Sequence, residues 1–311
     1  MQSTAKFALA GSLLLFPALA SLGKPSIETY AITDTGVALR WGAFEPKGGG
    51  QHPAILVLHA GGFKTGVGGP QHVAEELSRA GFFALATEYR LAPPHNEMNS
   101  PEHPPPAQNT VSPVDDGHYP EQTNDIRTAI RTARHDPRCN GLVYCIGGSA
   151  GASHAVYMAG RGKPGDDQPD LIVCMSGPYD FANKKHLETP CEPMETCFWD
   201  SLLNYLDIPD FANHRRELEE ASPLTYVNAN FPPAFILVAQ NDASQLRLFD
   251  FTRILEKFNA VGLTESVANH PERGKYKQWV VPTGTDTLHA FDYWETARPI
   301  IIDWLQAGPP P

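Results

Sequence analysis

The chain has 311 residues, of which 41% are hydrophobic, and its formal net charge is −11. This length falls within the range of large single α/β domains, and the hydrophobic fraction is enough for a sizeable core. The negative charge argues against nucleic-acid and anionic-membrane partners, because both bind cationic surfaces. We therefore expect one folded domain with neither nucleic acid nor membrane as a partner, and the oligomeric state stays open.

The start of the chain has the pattern of a cleavable export signal. Lys6 precedes an apolar run over 7–15, and the small residues of Ala18-Leu19-Ala20 have the A-x-A spacing of a signal-peptidase site. The run is shorter than the roughly 20 apolar residues that a membrane-spanning helix needs. We predict a signal peptide over 1–20, a mature domain over 21–311, and a secreted or periplasmic protein.

Short apolar runs alternate with helical patterns along the rest of the chain. The runs have strand length and are apolar almost throughout, which is typical of strands buried on both faces of a parallel sheet. They cover 54–59, 82–88, 142–147, 171–177, 234–240 and 276–281. Helical patterns cover 71–81, 120–136, 244–262 and 291–306. The alternation predicts an α/β domain with a mostly parallel central sheet flanked by helices.

Four further features complete the description of the chain. A hairpin is predicted over 26–32 and 37–44, at the edge of the sheet, and Pro299 is expected to kink or break the last helix. Residues 93–120 hold eight prolines and little apolar periodicity, which predicts a long loop over the surface. Residues 181–230 separate two strand runs, and we expect an insertion with short helices there. A cap over a site is one role for that insertion.

The chain has five cysteines. An exported protein can form disulfides, and Cys191 and Cys197 are the favoured pair because they flank a polar, proline-containing stretch. Cys145 and Cys174 lie in strand runs and are expected in the core, which leaves Cys139 unassigned. The sequence does not fix the connectivity.

A cluster of small residues stands between a strand run and a helical pattern in VYCIGGSAGASHAVYMAG (143–160). Gly147, Ser149 and Gly151 fit the G-x-S-x-G nucleophile elbow, in which a sharp strand-to-helix turn projects a serine hydroxyl from the carboxyl edge of the sheet. The alternative is a glycine-rich phosphate loop, but the stretch lacks the P-loop lysine and the G-x-G-x-x-G spacing. Ser149 is therefore the candidate nucleophile.

A serine nucleophile needs a base, and the base needs an acid that orients it. Asp242 follows the strand run 234–240, and His289 ends the loop that follows the run 276–281. Nucleophile, acid and base in this chain order accompany the elbow motif. Asp286 is a rival acid, but Asp242 is favoured because a partner from a different strand end approaches the imidazole ring more easily.

Acyl transfer places negative charge on a former carbonyl oxygen, and preorganised N–H groups stabilise that charge. The residue after the nucleophile, Ala150, is expected to supply one N–H group. Gly61 and Gly62 in the turn LHAGGF (58–63) are expected to supply the others, since this turn follows an early strand run. His59 is expected to brace the turn rather than take part in chemistry. The alternative is an ordinary strand-to-loop turn.

Four segments in this order resemble the α/β-hydrolase superfamily, and within it the esterases similar to hormone-sensitive lipase and to secreted carbohydrate esterases. They are HAGGF (59–63), EYRLAP (88–93), GGSAG (147–151), and NDAS (241–244) paired with LHAF (288–291). Together they cover 54–306. The resemblance implies hydrolysis of carboxylic esters by a Ser149–Asp242–His289 triad, with no cofactor and no metal.

The departures from the family pattern bear on the substrate. Ala60 replaces the first glycine of the H-G-G-G motif, but the donor glycines are intact. Gly148 stands where the lipase-like branch commonly has aspartate, and the chain has no room for that branch's N-terminal cap. Both points favour the compact secreted esterases that remove acetyl or aromatic acyl groups from plant polysaccharides, which is an argument from family analogy. The expected partner is a small-molecule or carbohydrate ester, with a short acyl chain.

Three alternative functions are disfavoured by the sequence. A serine peptidase would use the same parts, but no second domain is predicted to select peptides. A catalytically silent binding protein is opposed by the complete triad pattern. A metal site formed by His95, His103, His118, Asp115 and Asp116 is disfavoured because the spacing is wide and irregular.

Overall fold

A computed structural model of the chain describes residues 25–66, 69–92, 117–183, 198–244, 246–267 and 274–309. Eight strands form one sheet within these residues. They are β1 (Ser26–Ile32), β2 (Ala38–Phe44), β3 (His52–Leu58), β4 (Phe83–Thr87), β5 (Cys139–Gly148), β6 (Leu171–Met175), β7 (Ala234–Ala239) and β8 (Tyr276–Val281). Their order across the sheet is β1-β2-β4-β3-β5-β6-β7-β8.

The sheet is mostly parallel, as predicted. Strand β2 is antiparallel to β1 and to β4, and every other neighbouring pair is parallel. The predicted hairpin is therefore the pair β1–β2 at one edge. Because the strands from β3 to β8 are parallel, their carboxyl ends meet at a single edge, where ligands of open α/β sheets bind.

The central strands are covered on both faces, because their alternate residues enter two separate cores. In β3, Leu56 and Leu58 belong to one cluster of buried side chains, while Ile55 and Val57 belong to the other. Side chains that alternate between two buried faces leave no polar positions. This is why the strand runs are apolar almost throughout.

Helices supply the other side of each core. They are α1 (Pro70–Arg79), α2 (Glu121–Arg134), α3 (Ala150–Arg161), α4 (Phe198–Leu206), α5 (Arg215–Ala221), α6 (Arg247–Ala260) and α7 (Trp294–Gln306). Helices α2, α3 and α6 contribute to the cluster that contains Leu56, and α1 and α7 contribute to the cluster that contains Ile55. The predicted helices over 71–81, 120–136, 244–262 and 291–306 correspond to α1, α2, α6 and α7.

The helix α7 is not broken at Pro299. It continues through the proline to Gln306, although proline removes one intrahelical hydrogen bond. Ala297, Ile301 and Leu305 on the same helix are buried in the cluster that contains Ile55. Packing on both sides of the proline outweighs the missing bond.

The described part of the insertion 181–230 contains α4, α5 and a 3-10 turn at Pro223–Tyr226. Buried side chains of α4 and α5 form a third cluster, and that cluster also includes Phe63 and Ala150. The insertion helices therefore pack against the turn that follows β3 and against the start of α3.

Several predictions concern residues outside the described ranges. These are the signal peptide over 1–20, most of the loop 93–120, the pair Cys191 and Cys197, and the metal candidates His95, His103, Asp115 and Asp116. The remaining candidate, His118, forms a 2.7 Å hydrogen bond between Nδ1 and the Asn204 carbonyl oxygen. The described residues contain no group of three or more His, Cys, Asp or Glu side chains that could hold a metal ion.

Cys139, Cys145 and Cys174 are buried free thiols. The two cysteines of the strand runs therefore lie in the core, as predicted. Over the described ranges, no helix combines the length and apolar character needed to cross a bilayer.

Candidate active site

Ser149 lies between β5 and α3, in a backbone conformation that is rare for a residue with a Cβ atom. Its φ is 51° and its ψ is −115°, a combination that is normally costly and is held by its surroundings. The Ser149 N–H donates to the Met175 carbonyl oxygen at 2.8 Å, which ties the turn to β6. This is the strained strand-to-helix turn that the G-x-S-x-G motif predicts.

The glycines around Ser149 are required by close backbone approaches. A Cβ atom on Gly147 would lie 2.3 Å from the carbonyl carbon of Gly151, and one on Gly151 would lie 2.3 Å from the Leu58 carbonyl oxygen. Real Cβ contacts are not this short, so larger residues would displace the turn. The second approach also places the start of α3 directly against the end of β3.

Asp242 and His289 are joined by a hydrogen bond at the carboxyl edge of the sheet. The distance from His289 Nδ1 to Asp242 Oδ1 is 2.8 Å. The loops that carry them run alongside each other: the Leu288 N–H donates to the Asn241 carbonyl oxygen at 3.1 Å, and the Ala243 N–H donates to Leu288 at 3.2 Å. The Asp242 side chain is 2% exposed and that of His289 is 24% exposed. A buried carboxylate thus meets a ring that still reaches the surface.

This hydrogen bond fixes the state of the histidine ring. An ionised carboxylate only accepts hydrogen bonds, so Nδ1 of His289 carries the proton. In the neutral ring Nε2 is then left as an acceptor, the form that a general base requires. The rival acid, Asp286, is exposed, in a turn closed by its own N–H donating to the Thr283 carbonyl oxygen at 3.0 Å. The structure brings Asp242, and not Asp286, to His289.

The histidine loop packs directly on the serine turn. A Cβ atom on Gly148 would lie 2.9 Å from the Ala290 Cβ and 3.0 Å from the Phe291 ring. The residue before Ser149 therefore touches the two residues after His289. An aspartate at position 148, as in the lipase-like branch, would collide with this loop.

Ser176 is a site residue that the sequence analysis missed. It follows β6, and its Oγ donates to Asp242 Oδ2 at 2.5 Å. Its Oγ also lies 3.0 Å from the Tyr293 hydroxyl. Because the single Ser176 proton is used on the carboxylate, Tyr293 must be the donor to Ser176. Burial raises the pKa of Tyr293 well above its usual value, so this donor stays protonated.

Asp242 is consequently held by three donors. Oδ1 accepts from His289 and from the Ser244 N–H, the latter at 2.9 Å, and Oδ2 accepts from Ser176. A carboxylate with both oxygens occupied cannot rotate without losing hydrogen bonds.

The sequence contains only a positional signal for Ser176, namely that it directly follows a strand run. A serine in such a place has no motif of its own.

The turn after β3, which carries the candidate oxyanion donors Gly61 and Gly62, is tightly folded. Gly61 has a φ of 126° and Gly62 a φ of 58°, both in the region that favours glycine. The Thr65 N–H donates to the Gly61 carbonyl oxygen at 3.0 Å, and a Cβ atom on Gly61 would lie 1.9 Å from the Thr65 carbonyl oxygen. Within the described ranges, no protein group accepts from the N–H of Gly61, Gly62 or Ala150.

His59 lies beneath this turn and is buried. Its Nδ1 donates to the Ala60 carbonyl oxygen at 2.9 Å, and its ring stacks on Tyr89 with 4.0 Å between centroids. The Tyr89 hydroxyl in turn donates to the His59 carbonyl oxygen at 2.8 Å. Burial lowers the pKa of His59 to about 4, so the ring stays neutral near pH 7. These contacts agree with the bracing role expected for His59.

No protein-family model matches the chain, and no curated protein matches it. Solved structures do match. The acetyl ester-xyloside bifunctional hydrolase from Caldicellulosiruptor lactoaceticus is 15% identical, with a TM-score of 0.64 over 93% of this chain and 98% of that chain. The apo form of Thermogutta terrifontis esterase 2 is 16% identical, with a TM-score of 0.61 over 95% of this chain and 100% of that chain. The same esterase with butyrate bound is 16% identical, with a TM-score of 0.60 over 91% of this chain and 94% of that chain.

These similarities define the fold of the chain. An eight-stranded, mostly parallel sheet between two layers of helices, with a serine in the turn from β5 to α3, is the α/β-hydrolase fold. At this low identity the solved structures establish the architecture, and the chemistry must be argued from the residues at the carboxyl edge of the sheet.

Proposed function

We propose that this protein is a serine carboxylic-ester hydrolase. The observation that carries the proposal is the 2.8 Å hydrogen bond between Asp242 and His289. The loop that carries His289 packs on the strained turn of Ser149. Nucleophile, base and acid reach one edge of the sheet from three separate strand ends. This arrangement performs acyl transfer on several unrelated folds.

In the proposed mechanism, His289 Nε2 takes the proton of the Ser149 hydroxyl as Oγ attacks the carbonyl carbon of an ester. Asp242 holds the ring in the required tautomer and stabilises the imidazolium that forms. The N–H groups of Gly61, Gly62 and Ala150 stabilise the negative oxygen of the tetrahedral intermediate. His289 then protonates the leaving alcohol, and an acyl-enzyme remains on Ser149.

The second half of the reaction uses the same groups. A water molecule gives a proton to His289 and attacks the acyl carbon, and the bond to Ser149 Oγ breaks as His289 returns the proton to it. The products are a carboxylic acid and an alcohol. Every proton in this cycle moves through residues of the chain, so the proposal needs no cofactor.

The substrate class that we propose is esters with short acyl chains. Ala150 belongs to a cluster of buried side chains with Phe63, Phe181, Leu202 and Tyr205, and large side chains therefore fill the space beside the proposed oxyanion site. Helices α4 and α5 of the insertion 181–230 supply part of this cluster, which favours a role for the insertion as a cap. The names of two matched structures, an acetyl ester-xyloside hydrolase and a butyrate-bound esterase, also refer to short acyl groups, which supports this proposal.

For the natural substrate we propose acylated plant polysaccharides. This rests on the family resemblance, and on the export signal predicted over 1–20, which would place the protein where such polymers occur. A screen of acetylated sugars and feruloyl esters against the purified protein tests it. Turnover of simple aryl esters without any activity on acylated sugars would exclude the polysaccharide proposal and leave the ester hydrolase.

The nucleophile is tested with p-nitrophenyl acetate and a fluorophosphonate probe. We expect the wild type to hydrolyse the ester and to be labelled, and Ser149→Ala to lose labelling and at least ~10³-fold in kcat. Ser78→Ala is a control, since Ser78 is a buried serine on α1 whose hydroxyl donates within that helix, to the Glu75 carbonyl oxygen at 2.7 Å. Labelling that persists in Ser149→Ala, or a wild type without ester turnover, would refute the proposal.

A further inference from the structure

Phe63 has an unexpected backbone conformation. It follows Gly61 and Gly62 directly, and with a φ of 67° it is the third consecutive residue with positive φ. Glycine adopts this conformation freely, whereas a residue with a Cβ atom keeps it only when its surroundings hold it there. The proposed oxyanion turn therefore ends at a residue that other parts of the chain must restrain.

The restraint acts on the Phe63 carbonyl oxygen. That oxygen accepts from the Ala92 N–H at 2.8 Å and from Gln122 Nε2 at 2.7 Å. Gln122 lies on α2 and is completely buried. Its second amide proton goes to the Gly117 carbonyl oxygen at 2.6 Å. Both protons are thus used on carbonyl oxygens, which fixes the orientation of the amide.

His154 on α3 completes the network. Its Nε2 lies 3.0 Å from the Gln122 Oε1 atom, which can only accept, so Nε2 of His154 carries the proton. The His154 ring also meets the Phe63 ring edge to face, with 5.4 Å between centroids. Complete burial lowers the pKa of His154 to about 3, and the ring stays neutral over the ordinary pH range. The proposed mechanism uses neither Gln122 nor His154.

We propose that Gln122 and His154 are positioning residues that hold the two halves of the oxyanion hole in register. One half, Gly61 and Gly62, lies on the turn after β3, and the other half, Ala150, opens α3, the helix that also carries His154. The chain His154–Gln122–Phe63 joins these halves through buried hydrogen bonds. The inference rests on the proposed ester hydrolysis, because only a reaction that builds an oxyanion depends on this register.

The test replaces Gln122 by methionine, which keeps the length of the side chain and removes its hydrogen bonds. We expect Gln122→Met to lower kcat for p-nitrophenyl acetate roughly 10- to 100-fold, with KM within about threefold, because the misplaced donors act on the transition state alone. His154→Phe should give a loss of the same kind. His154→Gln restores an N–H donor and should recover most of kcat.

Thr123→Val is the matched control. Thr123 is the next residue on α2, is equally buried, and donates from Oγ1 to the Pro120 carbonyl oxygen at 2.7 Å, with no link to Phe63. This variant also loses a buried hydrogen bond, but its kcat should stay within about twofold of the wild type. Thermal unfolding of both variants reports the general loss of stability, and hydrogen exchange of the peptide over 58–65 should accelerate only in Gln122→Met.

The outcomes separate this inference from the proposed function. An active wild type whose kcat falls no further in Gln122→Met than in Thr123→Val overturns the inference alone, as does a change confined to KM. An inactive wild type overturns the ester hydrolase and the catalytic role of this network together. Unchanged hydrogen exchange over 58–65 in Gln122→Met overturns the positioning role, whatever the activity.

Discussion

The hydroxyl of Ser176 lies 2.5 Å from Oδ2 of Asp242, the carboxylate oxygen that His289 does not use. The two residues follow neighbouring strands, β6 and β7, and both are held at the carboxyl edge of the sheet. The bond leaves Asp242 one orientation, in which Oδ1 points to the imidazole. In the proposed mechanism, the position of the base therefore depends on a serine that never touches the substrate.

Replacing Ser176 should slow the reaction without weakening substrate binding. Ser176→Ala removes one hydrogen bond to a buried carboxylate, so we expect a loss of roughly 5- to 20-fold in kcat, with KM unchanged. Tyr293→Phe removes only the donor to Ser176 and should have a smaller effect. Steady-state kinetics on p-nitrophenyl acetate measure both. Wild-type kcat in Ser176→Ala would mean that His289 and Ser244 hold the carboxylate unaided.

The two candidate acids should differ sharply. Asp242→Asn keeps the shape of the side chain but can present an N–H to the ring, which favours the wrong tautomer, and we expect a loss of about 10³- to 10⁴-fold in kcat. Asp286 is exposed and takes no part in this hydrogen bond, so Asp286→Asn should stay within about twofold. Comparable losses in the two variants would remove Asp242 from its proposed role.

The buried His59 should make the fold less stable in mild acid. Its pKa is about 4 in the folded chain, against about 6.5 for an unperturbed histidine. Between these values the unfolded chain binds a proton that the folded chain does not, so stability falls as the pH decreases. The slope contributed by this one group reaches about 1.4 kcal/mol per pH unit.

Urea unfolding at several pH values between 7 and 4.5 measures that slope. His59→Phe keeps a ring that stacks on Tyr89 and should show a shallower loss of stability than the wild type, whatever its stability at pH 7. Phe258→Leu serves as the control, because it also replaces a buried ring but no group that binds a proton in this pH range. Parallel curves for the wild type and His59→Phe would contradict the prediction.

The acyl preference should fall on short chains. Across p-nitrophenyl esters we expect kcat/KM to be highest from acetyl to butyryl and to fall toward decanoyl, because large side chains fill the space beside Ala150. Leu202→Ala should shift the preference toward longer chains, since Leu202 is buried in that cluster. Leu263→Ala, at a buried site of another cluster, should leave the preference unchanged. A maximum at ten carbons or more in the wild type would contradict the proposal.

The sequence predicts the elements that a single local pattern defines. Continuous apolar runs mark strands with two buried faces, and the candidate nucleophile, acid and base are identified because each follows such a run. Position alone places Asp242 and His289 near each other, and the structure joins them at 2.8 Å. The same positional argument favours Asp242 over Asp286, because Asp242 follows a different strand from the one that precedes His289.

Other parts of the site depend on three-dimensional packing that no local pattern encodes. Ser176, Gln122 and His154 are common polar residues, and the roles proposed for them follow from the atoms that they contact across the fold. The continuation of α7 through Pro299 also depends on long-range packing. Burial of the helix against the sheet outweighs the tendency of proline to end a helix. Local rules fail in these places because long-range contacts are stronger.

The close approaches at Gly147, Gly148 and Gly151 separate two kinds of constraint on the chain's evolution. A side chain at any of these positions would meet β3, α3 or the histidine loop, so each glycine serves the packing of the turn, whether or not the protein is a catalyst. Ser149 has no such requirement, since its side chain leaves the turn. A descendant that lost its chemistry would therefore keep the three glycines while the serine drifted, and the glycine spacing alone marks ancestry rather than activity.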